Sequence, residues 1–433
     1  MAFAEVALNK KISLLTLVLC VILTAAAVFM STYTILTDDY REKLAEAYAT
    51  ETVKGDEEPD LISDGETEKS IYEEKVAIIE SMFEQHSYYD LDEDAVISGM
   101  LDGFAYGTGD KYAEYYSPEE YAMFTEESNG EMQGIGINII FNAEYNAIEV
   151  INVMPDSPAL EAGLLPGDLI IYVGIGEDAV SIAELGYTPA VAKLQGLAGT
   201  MCEFSAVRGE NFNEILEFSI ERRQVTVQTV TYHIYEADKS IGIIRISEFD
   251  KLTPTQFFAA IDDLQANGVT KFVFDVRNNP GGDLGAICSI LDFLVPEGPI
   301  IRMKDKAGNE SIIESLESEF NAPMAVLCNG NSASAAELFT SALMDYDKAT
   351  VIGTTTYGKG SVQTIYSFPD GAGIKMTTKM YFPPFSDGYD GIGITPDIEV
   401  EMAEEFKNVS LYKISDADDT QLQRAIQYLN ENN

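Results

Sequence analysis

The residues of this chain that could do acyl-transfer chemistry are a serine at a helix start, a glycine turn, and a lysine set between two glycines. Residues 329–343 read NGNSASAAELFTSAL. Ser334 is followed three positions later by Glu337 and then by Leu338, Phe339, Ala342 and Leu343, so a helix is expected to begin there, with Ser334 and Glu337 as its capping box. Two roles fit that place. The hydroxyl could satisfy backbone N–H groups and nothing more, or it could be a nucleophile whose neighbouring helix-terminal amides face a developing oxyanion.

A serine nucleophile requires a base. The chain has two histidines. His86 reads as a surface or interface residue and His233, in VTYHIYEA, as a strand residue, so a Ser-His-Asp triad is not expected. The other option is a lysine kept neutral by burial. Lys359, in GTTTYGKGSVQTIY, lies between Gly358 and Gly360 directly after the expected strand ATVIG. It reads either as a solvated loop lysine or as such a base. In RNNPGGDLG, Pro280 fixes a turn, while Gly281 and Gly282 allow close backbone approach. Alone, that string is only a turn signal.

Positioning these groups requires strands that end where helices begin. From about Val225 the chain alternates SIGIIRI, a helix over 254–266, KFVFDV, a helix over 283–293, MAVLCN, the helix after Ser334, and ATVIG. Such alternation implies parallel β-α-β units with right-handed crossovers. KFVFDV and MAVLCN both deliver a glycine-containing turn to a helix start, at the carboxyl ends of strands where ligands collect in open parallel sheets. Upstream, GIGINIIF, AIEVINVM, LIIYVG and EFSAVRG, divided by turns such as LLPGD, describe a small β-rich domain of about six strands and one helical patch. Before it, Val76, Ile79, Met82 and Phe83 fall near helical spacing, and a second helix is expected over 95–104. That pair reads as a cap or a dimer arm.

The 433 residues, 46% of them hydrophobic, suffice for two or three domains with proper cores. A formal net charge of −45 repels nucleic-acid and lipid phosphates, so direct nucleic-acid binding is not expected. Cys20, Cys202, Cys288 and Cys328 form no C-x-x-C pair, and neither a disulfide framework, a zinc site nor any cofactor is expected. Residues 12–30 carry no charge and are long enough to cross a membrane. Lys10 and Lys11 before them and Asp38 and Asp39 after them place the N-terminus in the cytoplasm and the rest outside. Ala25, Ala26 and Ala27 could form a signal-peptide cleavage site, but the apolar run continues past them, so an uncleaved anchor is expected. An acidic spacer follows.

FDVRNNPGG, VLCNGNSASAAEL, GTTTYGKGSVQTIYSFPDGAGIKMTT and GIGITPDIEV, in that order, resemble the C-terminal processing peptidases, or tail-specific proteases. The 25 positions from Ser334 to Lys359, and Gln363 four after the lysine, match that family's spacing. GDKYAEYYSPEEYAMFTEESNGEMQGIGI is similar to its helical arm leading into a PDZ domain, and PDSPALEAGLLPGDLIIYVG to a PDZ core. The resemblance implies Ser334 as nucleophile, Lys359 as general base and Gln363 as the residue that orients the lysine amine. It implies an oxyanion hole from the amides of Ala335 and Gly281. It further implies that Gly134, Ile135, Gly136 and Ile137 form the loop that receives a peptide carboxylate, the peptide adding as a strand. Asn331 and Ala336 depart from a common glycine and serine of the family, and neither carries the chemistry.

The expected fold is therefore multidomain α/β: an N-terminal transmembrane helix, a helical arm, a PDZ-like β-rich domain, and an α/β protease core of crotonase/ClpP-like type. The expected divisions are a cytoplasmic N-terminus over 1–11, the anchor over 12–36, the linker over 37–70, the arm over 71–130, the PDZ domain over 131–222, the core over 223–400, and a C-terminal tail with a helix over 401–433. The expected function is a membrane-anchored, extracytoplasmic serine endopeptidase that cleaves polypeptides near C-termini bound by the PDZ domain, with a homodimer through the arm. A catalytically inactive PDZ scaffold and a crotonase-type acyl-CoA enzyme are the competing expectations. The intact Ser334, Lys359 and Gln363 stand against the first, and the membrane segment against the second.

Overall fold

A computed structural model describes residues 71–142, 144–208, 214–316, 320–407 and 409–432. The expected anchor and acidic linker lie outside these residues. Among the described residues, no helix is long and apolar enough to cross a membrane.

Two helices, α1 (Ile71–His86) and α2 (Glu93–Gly107), lead into the short strand β1 (Glu114–Tyr116) and helix α3 (Pro118–Ser128). No residue of α1 is buried, and Ile79, Met82 and Phe83 are each more than half exposed. The apolar stripe that the spacing predicts is thus present and uncovered.

The β-rich unit consists of β2 (Glu131–Gly134), β3 (Ile137–Asn142), β4 (Ala147–Val153), β5 (Leu169–Val173), β6 (Val180–Ser181), β7 (Met201–Arg208), β8 (Glu214–Glu221) and β9 (Arg223–Thr226). Its helices are α4 (Pro158–Glu161), α5 (Ile182–Leu185) and α6 (Tyr187–Leu194). The main sheet is antiparallel, in the order β3-β4-β5-β7-β8 with β6 beside β5. Alternate strand residues, including Ile148, Val150, Ile170, Phe204, Phe218 and Ile220, pack with Leu164 and Leu194 into a core. The ribbon of β2 and β9 closes the unit, which carries it to Thr226 and past the expected boundary at 222.

The large unit has six strands in the order β10-β11-β12-β15-β16-β19: β10 (Val230–Ile234), β11 (Ile241–Ile246), β12 (Lys271–Asp275), β15 (Met324–Cys328), β16 (Ala349–Gly353) and β19 (Ile398–Glu399). All neighbours from β11 onward are parallel. Helices α7 (Thr253–Ala266), α8 (Leu284–Leu294) and α9 (Ala335–Asp345) fall where the alternation predicts. Every residue of β15 is buried, as befits a central parallel strand covered on both faces. One face packs Phe272 and Phe274 against Phe257 of α7, Phe320 and Phe339 of α9. The other packs Ile243, Val273, Leu327 and Ile352 against Leu422, Ala425, Ile426 and Leu429 of α10 (Thr420–Asn432). Those four are spaced as one helical stripe. The C-terminal segment is consequently a layer of the core rather than a tail.

A buried ion cluster ties that layer down. Arg277 lies between Asp275 and Asp419, with N···O distances of 2.7 Å to both, and Arg245 also reaches Asp275. Burial alone would raise the Asp275 carboxyl, but the two arginines outweigh it and hold the group well below the usual carboxylate range. The stability this contributes is present above the unfolded-state pKa and is lost as pH falls through the folded one.

A second sheet, antiparallel throughout and unforeseen from the alternation, runs β1-β18-β13-β14 with β17 on β18. It uses β13 (Gly298–Asp305), β14 (Glu310–Ser315), β17 (Ser361–Ser367) and β18 (Gly373–Phe382). The β17–β18 hairpin begins just after Lys359.

Candidate active site

Ser334 lies where β15 turns into α9, in the middle of the large sheet. The turns that follow β12 and β15 are laced together: Ser332 Oγ donates to Val276 O at 2.7 Å, Ala333 N–H to Asn279 O at 2.9 Å, and Asn278 N–H to Asn329 Oδ1 at 3.0 Å. Ser334 is held at φ 55°, ψ −119°. A non-glycine residue occupies positive φ only when its surroundings compensate the cost, and such residues cluster at functional sites. Ala335 is the first helical residue, so its N–H has no intrahelical acceptor.

Gly281 packs directly on this turn with φ 105°. A Cβ there would sit 2.7 Å from Ser334 Cβ and 2.9 Å from Ala335 N. Only glycine leaves space beside that amide. The Gly281 N–H, expected as a second oxyanion donor, here donates to Oδ1 of fully buried Asn279 at 2.8 Å. The turn is braced from behind, since Phe249 N–H donates to Gly281 O at 2.9 Å.

Glu337 does more than the capping box predicts. Its carboxylate is completely buried. Oε2 accepts from Ser334 N–H at 2.9 Å and from Lys359 N–H at 2.8 Å, while Oε1 accepts from Thr356 Oγ1 and Gly358 N–H, both at 2.6 Å. One side chain therefore fixes the serine turn and the lysine loop to the same point. The S-x-x-E spacing signals the first half of this; the second half needed the fold.

Lys359 is half-buried, and its ammonium lies 4.5 Å from the centre of the Tyr112 ring. Burial, reinforced by the charges of Lys375 and Lys111, lowers its pKa from the ordinary lysine value, while Glu337 and Asp110 pull the other way. Its carbonyl accepts from the buried Tyr381 phenol at 2.6 Å. That phenol, which burial pushes well above the ordinary tyrosine pKa, also has the Ser334 side chain as a hydrogen-bonding neighbour. Nothing in the sequence singles out Tyr381 or Tyr112.

Gln363 sits on β17 with its Nε2 donating to Ser361 Oγ at 3.0 Å and to Thr377 Oγ1 at 3.1 Å. Among the described residues, no hydrogen bond joins it to Lys359. Gly134, Ile135, Gly136 and Ile137 lie apart from this cluster in chain order, where β2 passes into β3. Ile135 is buried, and the carbonyls of Ile135 and Gly136 accept from Ala159 and Met154 N–H.

A hydroxyl at a strained helix start, a helix-terminal amide beside it with no backbone acceptor among the described residues, and a partly desolvated lysine on a loop anchored to the same carboxylate form a set suited to acyl transfer without a histidine.

Comparison with known proteins gives the family of the chain. Residues 240–400 match the profile of Peptidase family S41. A carboxy-terminal-processing protease of Bartonella bacilliformis is 34% identical over 319 residues, which cover 72% of this chain and 70% of that protein. A carboxyl-terminal-processing protease of Synechocystis is 31% identical over 315 residues, covering 72% of both. Among solved structures, a Bacteroides fragilis protein assigned to the S41 proteases covers 85% of this chain and 99% of its own, with a TM-score of 0.52 at 17% identity, a likeness of fold alone. The chain thus belongs to the carboxy-terminal-processing proteases of peptidase family S41 and is a serine-type peptidase acting on polypeptides.

Proposed function

We propose that the protein is a membrane-anchored serine endopeptidase working outside the cytoplasm, with Ser334 as nucleophile and Lys359 as general base. The carrying observation is Glu337, whose buried carboxylate binds the backbone N–H groups of both residues. Ser334 Oγ attacks the scissile carbonyl as the neutral Lys359 amine takes its proton. The Ala335 amide stabilises the oxyanion, and the lysine returns the proton to the leaving amine. Gln363 orients the amine once its side chain turns from Ser361 and Thr377, and Gly281 completes the oxyanion hole when its amide leaves Asn279.

The β-rich unit acts as a PDZ domain in which residues 134–137 bind the substrate's terminal carboxylate. Supporting this, the N–H groups of Ile135 and Gly136 make no backbone hydrogen bond among the described residues. Gly136 has φ 77°, and a Cβ there would sit 2.4 Å from Ser157 Cβ, so the test alters the substrate rather than the loop. Amidating a peptide's C-terminus removes the charge those donors stabilise, and a charge-assisted hydrogen bond contributes roughly 1.5–3 kcal/mol. Cleavage below saturation falls about tenfold or more. Equal rates on acid and amide peptides would remove the tail-reading role.

The anchor rests on the uncharged run at residues 12–30 and its flanking charges. Dimerisation rests on the exposed apolar stripe of α1. An external protease acting on intact cells reports the side on which the catalytic unit lies, and sedimentation of the detergent-solubilised chain distinguishes one copy from two.

A further inference from the structure

Between α2 and α3 the chain joins the second sheet through β1, forming a strap that touches the lysine. Its end is β1, which pairs antiparallel with β18 so that Glu114 faces Lys375 and Tyr116 faces Gly373. Lys375 Nζ binds Glu114 at 2.5 Å and Tyr116 Oη at 2.6 Å. At its start, Asp110 accepts from Thr377 N–H at 2.7 Å and from Thr377 Oγ1 at 3.0 Å. Asp110 also accepts from Tyr112 N–H at 3.0 Å, which fixes the backbone of the residue whose ring meets Lys359. The Lys111 ammonium lies 4.7 Å from the centre of the same ring.

We propose that Tyr112 is a positioning residue for Lys359: the docked strap presents its ring to the ammonium and so favours the charged, waiting form of the base. An aromatic face attracts a cation through its quadrupole, and partial desolvation strengthens that attraction. The charged groups acting on Lys359 are Lys111 and Asp110 on the strap, Lys375 on β18 and Glu337 on α9; Tyr381 on β18 donates to its carbonyl, and Asp390 accepts from the N–H of the next residue, Gly360. Tyr381 is uncharged too but meets the carbonyl of Lys359, whereas the Tyr112 ring faces the ammonium itself. Through Asp110 and Thr377 the strap also reaches Gln363, whose Nε2 shares the Thr377 hydroxyl. Docking of the arm and the state of the base are thereby linked in one short segment.

This rests on Lys359 being the base. The test is the pH dependence of kcat/KM for the full-length protein carrying Tyr112→Leu or Tyr112→Phe. Leucine keeps the lysine covered but removes the ring, so the acid limb moves to lower pH by roughly half to one and a half units. Phenylalanine keeps the ring, and its profile overlays that of the parent. An unmoved limb in the leucine variant overturns the proposal, as does an equal displacement in both. If Tyr112→Leu does not fold, Tyr112→Met poses the same question. Lys359→Ala is run alongside: an active Lys359→Ala enzyme removes the base itself, whereas an inactive one with an unmoved Tyr112→Leu limb removes only the role of the ring.

Discussion

Ser334→Ala and Lys359→Ala each abolish peptide hydrolysis, with kcat reduced on the order of 10⁴-fold or more, while the denaturation midpoint of the purified protein stays near that of the parent. A nucleophile and its base act as a unit, so in the proposed dyad the double substitution is expected to cost no more than either single one. Lys359→Arg is equally inactive, because a guanidinium does not release its proton near neutral pH. In the parent, kcat/KM rises with pH as the lysine loses its proton. Burial and the charges of Lys375 and Lys111 lower the lysine's pKa, which places that limb below the ordinary lysine range. A bell centred near pH 5 would mean carboxylate chemistry instead.

Gly281→Ala lowers kcat by about 10²–10³-fold with a much smaller effect on KM, the signature of a donor that serves the transition state. The added methyl would sit 2.9 Å from Ala335 N and 2.7 Å from Ser334 Cβ, at a backbone φ of 105° that alanine rarely adopts. It would cover the amide proposed to meet the oxyanion and displace the serine. Separate measurement of kcat and KM, beside a urea titration, distinguishes this from loss of fold. A kcat within a few-fold of the parent would show that the Ala335 amide is not the donor.

What could be read from the chain beforehand was the local part. Strands rich in β-branched and aromatic residues, broken by NNPGG and NGNS, lie where the alternation puts them, because burial on both faces leaves such runs no other use. Ser334 was legible through its spacing to Glu337. Groups brought together by long-range packing were not. Glu337 meets Thr356, Gly358 and Lys359 only because α9 and the loop after β16 lie side by side. The β17–β18 hairpin had a turn signal in PDGAG, but its pairing with β1, more than 250 positions earlier, had none. Lys359 could be read as solvated or buried until Tyr112 and Tyr381 were seen around it. The C-terminal segment looked like a tail because its four apolar residues form a narrow stripe, and a stripe alone does not say what it covers.

The most direct test of a serine-lysine peptidase is to treat the full-length protein with a fluorophosphonate at alkaline pH and map the adduct by peptide mass spectrometry. A single adduct on Ser334, absent in Lys359→Ala although that variant still folds, is the result expected. An active enzyme that takes up no label at Ser334, or equal labelling of Ser334 with and without Lys359, would contradict the account.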